Sequence, residues 1–174
     1  MPRLILLNGP PASGKSTIAR MFADRHPLAL NLDIDRIRDL IGDWRAHFGP
    51  AGLLARDIAL AAARTHLTSG YDVVVPQLLY RPGFIEQLAA LASSAGCTFH
   101  EVVLVDSRDN ALQRCADRDG EDAPSPEELG IMYERLMALM ATRPAARSVP
   151  SRNGDPEQTY RDVMAALNDP TSLA

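Results

Sequence analysis

The amino-acid sequence predicts an α/β fold built around a parallel sheet. Short runs that are apolar at successive positions alternate with longer stretches of helical character. Such runs are typical of strands that are covered on both faces, and parallel strands need the crossover connections that intervening helices supply. The predicted strands are residues 3–7, 28–32, 72–76, 98–105 and 146–150.

Seven helices are predicted between and after these strands. Gly70 ends a long alanine-rich helix, because glycine readily adopts the conformation that follows a last helical turn. Ser125-Pro126-Glu127-Glu128 has a capping serine, a proline at the first helical position and a glutamate three residues after the cap, and Asp155-Pro156-Glu157-Gln158 repeats the arrangement. The predicted helices are residues 14–24, 34–41, 53–67, 82–94, 108–118, 125–140 and 155–167.

The length and composition are those of one ordinary globular domain. The chain has 174 residues, 46% of them hydrophobic and 23% charged. No apolar run approaches the roughly 20 residues that a membrane helix needs. We therefore predict one domain over residues 1–174, monomeric or homodimeric, with no membrane association. The net charge of −4 argues against a nucleic-acid partner, because proteins that bind nucleic acids usually present a basic face to phosphates.

The first apolar run and the two cysteines predict a cytoplasmic protein. The run leads into glycine and proline rather than a small-residue cleavage site, so it predicts a buried strand and not a signal peptide. Cys97 and Cys115 have neither CxxC spacing nor neighbouring histidines. They are predicted to be small buried side chains in a reducing compartment.

The most specific feature of the sequence is the segment that joins the first strand to the first helix. It matches the pattern GxxxxGK[ST], in which backbone N–H groups and a helix N-terminus bind phosphates and Ser16 can bind Mg²⁺. Lys15 is the only lysine of the chain, and its compact ammonium can reach the β- and γ-phosphates where a wide guanidinium would not fit. The predicted nucleotide-binding residues of this segment are Gly9, Pro10, Pro11, Ala12, Ser13, Gly14, Lys15, Ser16 and Thr17.

With this motif and this order of strands and helices, the chain resembles the small P-loop kinases. They are an AAA_33-like group that includes chloramphenicol phosphotransferase, polynucleotide 5′-kinases and zeta-toxin-like kinases. The resemblance implies a three-layer P-loop NTPase fold, with a five-stranded parallel sheet flanked by helices and a short lid at about residues 117–127. It also implies ATP and Mg²⁺ as cofactors and transfer of the γ-phosphoryl group to a hydroxyl of a small molecule.

Acidic and basic side chains follow the second predicted strand, at the carboxyl edge of the sheet beside the loop. Phosphoryl transfer needs a carboxylate to take the proton of the acceptor hydroxyl and cations to hold an anionic acceptor. Asp35 is the predicted base and Arg38 a substrate-binding residue, since their spacing resembles the D-x-x-R of polynucleotide-kinase-like enzymes. Asp33 is the alternative base, because a residue two positions earlier on one strand points the same way. The alternative is that Asp33 or Asp35 only caps the helix while the arginines lie in solvent.

The third predicted strand departs from the pattern of many P-loop proteins. Theirs ends in an aspartate that organises Mg²⁺, whereas this one ends at Pro76 and Gln77. Gln77 is predicted to orient the acceptor through its amide, and the metal then depends on Ser16, water and an aspartate after the second strand. Arg81 is predicted either to bind substrate or to lie in solvent.

Two arginines are predicted to act from a lid. Arg114 and Arg118 lie on one face of a helix that leads into a polar loop with glycine and proline. The resemblance implies that both are catalytic and bind the nucleotide, neutralising charge on the γ-phosphate while the loop excludes water. The alternative is pairing on the helix surface with Asp117 and Glu121.

Four further residues are weaker candidates. Trp44 and Phe48 either stack on a flat or sugar-like acceptor or belong to the core. Arg152 and Asn153 lie in a stretch that resembles the adenine-binding turn of related kinases. Two other functions stay open: a polynucleotide 5′-hydroxyl kinase, and a nucleotide-binding regulatory module or bare ATPase.

Overall fold

The computed structural model describes residues 1–116 and 124–169, and it confirms the α/β class with a parallel sheet of five strands. The strands are β1 (Arg3–Asn8), β2 (Leu30–Asn31), β3 (Val73–Pro76), β4 (Thr98–Val105) and β5 (Arg147–Pro150). Their order in the sheet is β2-β3-β1-β4-β5, and every neighbouring pair is parallel.

Seven helices accompany the sheet in the described residues. They are α1 (Lys15–Arg25), α2 (Ile34–Asp39), α3 (Phe48–Thr68), α4 (Pro82–Ser94), α5 (Arg108–Ala116), α6 (Pro126–Ala141) and α7 (Pro156–Asn168). None of these helices is long and apolar enough to cross a membrane. Most of the predicted lid, residues 117–123, and the side chain of Cys115 lie outside what the structure describes.

The central part of the sheet is buried on both faces, which explains the apolar runs in β1, β3 and the second half of β4. Side chains alternate between the faces of a strand. Leu4 and Leu6 of β1 pack in one core with α3 and α4, whereas Ile5 and Leu7 pack in the other with α1 and α7. The central strand β1 therefore lies between two hydrophobic layers, and its carboxyl end meets those of β3 and β4 at one edge of the sheet.

Two elements differ from the prediction. Helix α3 begins at Phe48, five residues earlier than expected, because Pro50 lies in its first turn, where the missing N–H has no partner within the helix. Strand β2 has only two residues, and Asp33 caps the helix that follows instead of lying on a strand. The argument that Asp33 and Asp35 share one face of a strand is therefore wrong.

The two predicted cap sequences form as expected. Ser125 and Glu128 make a complete capping box, with the Ser125 N–H donating to Glu128 Oε2 at 2.8 Å and the Glu128 N–H to Ser125 Oγ at 3.3 Å. The Asp155 carboxylate accepts a hydrogen bond from the Gln158 N–H at 2.9 Å. Cys97 has a free thiol, but it is only half-buried and so is not the buried side chain that was predicted.

Candidate active site

The segment from Gly9 to Thr17 forms a loop that wraps around the ammonium of its lysine. Lys15 Nζ donates hydrogen bonds to the carbonyl oxygens of Gly9 at 3.0 Å and Pro10 at 2.8 Å. Gly14 caps α1 with φ of 85°, no side chain bonds to the first N–H groups of the helix, and its first turn has no acidic residue. These N–H groups and the ammonium make a positively polarised pocket suited to phosphate.

Gly9 is required by the close approach of two strands. Its φ is 149°, and a Cβ built there would lie 2.7 Å from the Leu104 carbonyl oxygen and 2.8 Å from Ser13 Oγ. The Leu104 oxygen belongs to the backbone of β4 and has little freedom to move. The loop can therefore pass this strand only without a side chain at residue 9.

We expect Gly9→Ala to lower the free energy of unfolding by about 3 kcal/mol, because it combines backbone strain with a clash against a fixed carbonyl. Gly70→Ala is the matched control. Gly70 also has a positive φ, 94°, but nothing lies within 4 Å of a Cβ built there. Its replacement should cost only about 1 kcal/mol. Chemical denaturation measures the free energy of unfolding of both variants. An equal loss of stability in the two would contradict the steric argument.

Two cavities lie along the loop. The loop cavity, about 350 Å³, is lined by Gly14 to Thr17 together with Arg114 and Asn153. The turn cavity, about 220 Å³, continues from it to the turn at residues 151–154 after β5. The loop, Arg114, Arg152 and Asn153, which the sequence assigns to nucleotide binding, thus lie around neighbouring cavities. Arg152 is also held by Asp162, its Nε lying 3.1 Å from Asp162 Oδ2.

Arg114 is held against the loop by residues that the sequence analysis missed. Its guanidinium lies 3.0 Å from Asp106 Oδ2 in a nearly buried ion pair and donates to Ser151 Oγ at 2.7 Å. Ser151 Oγ in turn donates to the carbonyl oxygen of Ser13 at 2.9 Å. Asp106 and Ser151 follow β4 and β5, so the rule that singled out polar residues at strand ends would have found them. Arg118 lies outside the described residues.

Asn8 is a second residue that the sequence analysis missed. It is fully buried at the end of β1, and its amide binds both backbone groups of Leu79, with Nδ2 donating to the Leu79 oxygen at 2.8 Å and Oδ1 accepting from its N–H at 2.9 Å. Oδ1 also accepts from the Gly9 N–H at 2.8 Å. One side chain therefore fixes the start of the loop to the segment after β3.

A larger cavity of about 700 Å³ lies on the other side of the loop, and we call it the acceptor cavity. It extends from the loop to α2, to the segment that precedes α3 and to the end of β3. The predicted site residues that line it are Pro11, Ala12, Lys15, Ser16, Asp33, Asp35, Arg38, Trp44 and Gln77. The structure thus brings the loop and the acid-arginine segment to one cavity.

The two aspartates of this cavity have different environments. The Asp33 carboxylate is mostly buried and caps α2 by accepting hydrogen bonds from the N–H groups of Asp35 at 3.1 Å and Arg36 at 3.5 Å. The Asp35 carboxylate is not used in a cap and lies 3.1 Å from the Arg38 guanidinium. The capping role that the sequence left open therefore belongs to Asp33, and Asp35 is the carboxylate available to a ligand.

Burial raises the pKa of the Asp35 carboxyl above its ordinary value of 3.8. The positive charge of Arg38 opposes this rise, the negative charge of Asp33 adds to it, and a hydrogen bond from Gln77 lowers the pKa. Because 54% of the Asp35 side chain is exposed, water limits the rise.

Arg38 lies against two aromatic rings, and their positions decide between the two alternatives left open for Trp44 and Phe48, a cavity wall or the core. Its guanidinium carbon lies 4.5 Å from the centroid of the Trp44 ring and 5.0 Å from that of Phe48. Phe48 is 61% exposed and lines the acceptor cavity with Trp44, so neither ring is a core residue. Arg38 Nε is buried and has no hydrogen-bond partner among the described residues. These contacts leave a fixed guanidinium at the cavity wall.

Gln77 lies where the third strand ends, with its N–H donating to the Leu7 oxygen at 3.0 Å. Its Oε1 is buried and without a hydrogen-bond partner in the described part of the chain. Arg81, by contrast, does not line the acceptor cavity. It is exposed at the N-terminus of α4 and lines a separate cavity.

The sequence matches the family described as an AAA domain, AAA_33, over residues 4–142. The chain belongs to this AAA domain family. The matched residues include the loop, the acceptor cavity and most of the sheet, so the whole candidate site lies within the AAA domain, apart from the turn after β5. No curated protein matches the sequence significantly.

Solved structures share the fold of this AAA domain. A candidate kinase of Chloroflexus aurantiacus is 23% identical with a TM-score of 0.70, over 95% of this chain and 96% of that one. A gluconokinase from Sinorhizobium meliloti is 20% identical with a TM-score of 0.67, over 95% and 91%. A sugar kinase from Janibacter sp. is 16% identical with a TM-score of 0.70, over 97% and 95%. At these identities the likeness shows a shared kinase-like P-loop fold.

Proposed function

We propose that this chain is a kinase that transfers the γ-phosphoryl group of ATP, with Mg²⁺, to a hydroxyl of a small molecule. One observation carries the proposal: the acceptor cavity is lined both by Lys15 and Ser16 of the loop and by Asp35. A phosphoryl donor in the loop and a hydroxyl at Asp35 would therefore meet in one space. Phosphoryl transfer depends mainly on such positioning and on nearby positive charge.

The loop residues suit the phosphates of a nucleotide. The N–H groups at the start of α1 and the Lys15 ammonium would bind the phosphate oxygens. The adenine ring of the nucleotide would lie in the turn cavity beside Arg152 and Asn153. Bound Mg²⁺ would neutralise charge on the transferring group. No group of three or more His, Cys, Asp or Glu side chains in the described residues could hold a metal alone. Ser16, phosphate oxygens, water and an aspartate of the acceptor cavity are the proposed ligands.

The other residues of the cavity have roles that follow from their contacts. Asp35 takes the proton of the acceptor hydroxyl as the new bond to phosphorus forms. Arg38 is immobilised by Trp44 and Phe48 and binds polar groups of the acceptor, and Gln77 orients it through its free Oε1. Arg114, with Arg118, stabilises the charge of the transferring group.

The acceptor that fits these walls combines hydroxyl groups with a flat or sugar-like body. Aromatic rings stack on such faces, while carboxylate and guanidinium groups bind hydroxyls. The gluconokinase and the sugar kinase that share the fold act, by their names, on sugar compounds. Sugars and sugar acids are therefore the first acceptors to test, followed by nucleosides and hydroxylated antibiotics.

We expect the purified chain to release ADP from ATP and Mg²⁺ much faster when the correct hydroxyl compound is present. A coupled assay measures ADP release across a panel of sugars, sugar acids, nucleosides and antibiotics, and mass spectrometry identifies a product with one added phosphoryl group. Slow ADP release that no compound accelerates would contradict the proposal and favour a bare ATPase or a nucleotide-binding regulatory module.

A polynucleotide 5′-hydroxyl kinase is the second candidate, because Asp35 and Arg38, whose spacing resembles D-x-x-R, both line the acceptor cavity. Its substrate would be a 5′-hydroxyl oligonucleotide. Phosphorylation of that substrate should fall steeply with salt, since binding would release counterions from several phosphates. Transfer to a small sugar that is insensitive to salt would exclude this candidate.

A further inference from the structure

A second polar cavity, of about 360 Å³, lies between α3 and the segment that connects β3 to α4, and we call it the arginine cavity. Arg56 of α3 and Arg81 at the start of α4 both line it. Within residues 1–116 and 124–169, neither arginine forms an ion pair with a carboxylate, and no acidic residue lines the cavity. Two positive side chains thus share one concave surface.

This lack of partners is not typical of the chain. Acidic residues outnumber lysine and arginine, 22 to 18, and other arginines have carboxylate partners. Examples are the pairs Arg3 with Asp72, Arg114 with Asp106, and Arg143 with Glu101. The positive charge of the arginine cavity is therefore a local feature that no carboxylate of the described residues neutralises by a close ion pair.

The backbone adds to the positive character of the cavity. Helix α4 has 13 residues, its N-cap residue Arg81 makes no side-chain capping bond, and no acid lies in its first turn. Gly83, in that turn, lines the cavity together with Tyr80 and Phe84. The N–H groups at a helix start carry partial positive charge and favour anions. The Arg56 guanidinium carbon lies 5.4 Å from the centroid of the buried Phe84 ring, a contact that keeps it at this wall.

The arginine cavity adjoins the acceptor cavity. Leu78 lines both, and the chain from Gln77 to Arg81 passes from one to the other. The Asn8 amide holds the two backbone groups of Leu79, so the wall between the cavities is fixed to the start of the phosphate loop. A molecule whose hydroxyl lies at Asp35 can therefore extend past Leu78 while its reacting end stays in place.

We propose that the arginine cavity binds an oxyanion group, a carboxylate or a phosphate, at the end of the acceptor remote from the reacting hydroxyl. The proposal rests on the proposed kinase function for the identity of the ligand, but not for the binding of the anion. Arginine suits this role because its planar fork binds carboxylate and phosphate oxygens in pairs. The preferred acceptors are then hydroxy acids or phosphorylated polyols rather than their neutral analogues.

Nuclear magnetic resonance of the arginine Nε–Hε groups tests anion binding without any turnover. The probes are two matched pairs, gluconate with sorbitol and glycerol 3-phosphate with glycerol, added to the chain saturated with ADP and Mg²⁺. Arg56→Gln and Arg81→Gln assign the signals, and Arg64, exposed on α3 outside the cavity, is the internal control. We expect the Arg56 and Arg81 signals to shift with a charged probe only. No shift, or the same shift at Arg64, would overturn the proposal. A response to gluconate indicates a carboxylate site, and a response to glycerol 3-phosphate indicates a phosphate site.

Kinetics test the role of the cavity in substrate choice. We expect Arg56→Gln and Arg81→Gln each to raise the KM of a charged acceptor about tenfold, because each removes a charge-assisted hydrogen bond. The KM of the neutral analogue and that of ATP should not change, and Arg64→Gln should change neither. Arg81 is exposed, so Arg81→Gln keeps this test valid even where Arg56→Gln is unstable.

Shifted arginine signals without turnover of any acceptor would support the anion site and contradict the kinase function. An unchanged ratio between charged and neutral acceptors would overturn the proposed role.

Discussion

Replacing Lys15 with methionine is expected to reduce the rate of phosphoryl transfer about 10³-fold while the fold remains intact. The ammonium donates to the Gly9 and Pro10 carbonyl oxygens in the structure, and it is the proposed cation for the β- and γ-phosphates. Methionine has a similar length without charge or donors. The two loop carbonyls would lose their donor at a cost of only about 1 kcal/mol, because both can bind water at this partly exposed site.

Two further substitutions serve as comparisons for Lys15→Met, one at the same residue and one at a neighbouring arginine. Lys15→Arg keeps the charge, but its wide planar fork does not fit the space between the two carbonyls, so we expect a loss of at least about 10²-fold. Arg20→Met, on the exposed face of α1, removes a cation nearby and should leave the rate unchanged. ADP release and thermal unfolding are measured for all three variants. A Lys15→Met variant that releases ADP at the normal rate would contradict the assignment of this loop to phosphate binding.

Much of the fold was predictable because local sequence and long-range structure agree. The central strands of a sheet covered on both faces are mainly apolar, and residues 4–7 of β1, 73–75 of β3 and 102–104 of β4 are apolar and fully buried. The caps at Ser125 and Asp155 act within four residues, so their hydrogen bonds are readable from sequence alone. The start of α3 was missed because Gly49 and Pro50 predict a break, although proline is tolerated in a first turn.

The site was predictable only where its residues are close in sequence. The loop, and the pairing of Asp35 with Arg38, follow from spacing. The contact of Asn8 with Leu79 joins residues 71 positions apart, and that of Arg114 with Ser151 joins residues 37 apart. Such pairs depend on which strands are neighbours in the sheet, and one sequence does not specify that. The sequence left open whether Trp44 lines a cavity or belongs to the core, because a lone tryptophan is usually buried, and the structure places it at the acceptor cavity.

Replacing Asp35 with asparagine is expected to reduce kcat by about 10² to 10⁴-fold, the contribution of a positioned general base. Asparagine keeps the size of the side chain but cannot take the proton of the hydroxyl. Asp33→Asn is the matched control, because asparagine caps a helix as well as aspartate does and would preserve the hydrogen bonds to the Asp35 and Arg36 N–H groups. Asp33→Asn should therefore keep both its stability and most of its activity.

The pH dependence of kcat/KM is an independent test of Asp35 as the general base. A general base works only when ionised, so activity should fall as the pH drops through the pKa of Asp35. Because burial raises that pKa above 3.8, we expect the acid limb to lie at higher pH than an ordinary aspartate gives. The limb should disappear from the residual activity of Asp35→Asn and persist in Asp33→Asn. The opposite result, an inactive Asp33→Asn variant and an active Asp35→Asn variant, would assign proton transfer to Asp33. Proton transfer would then use Asp33 Oδ2, because both N–H groups of the α2 cap donate to Oδ1.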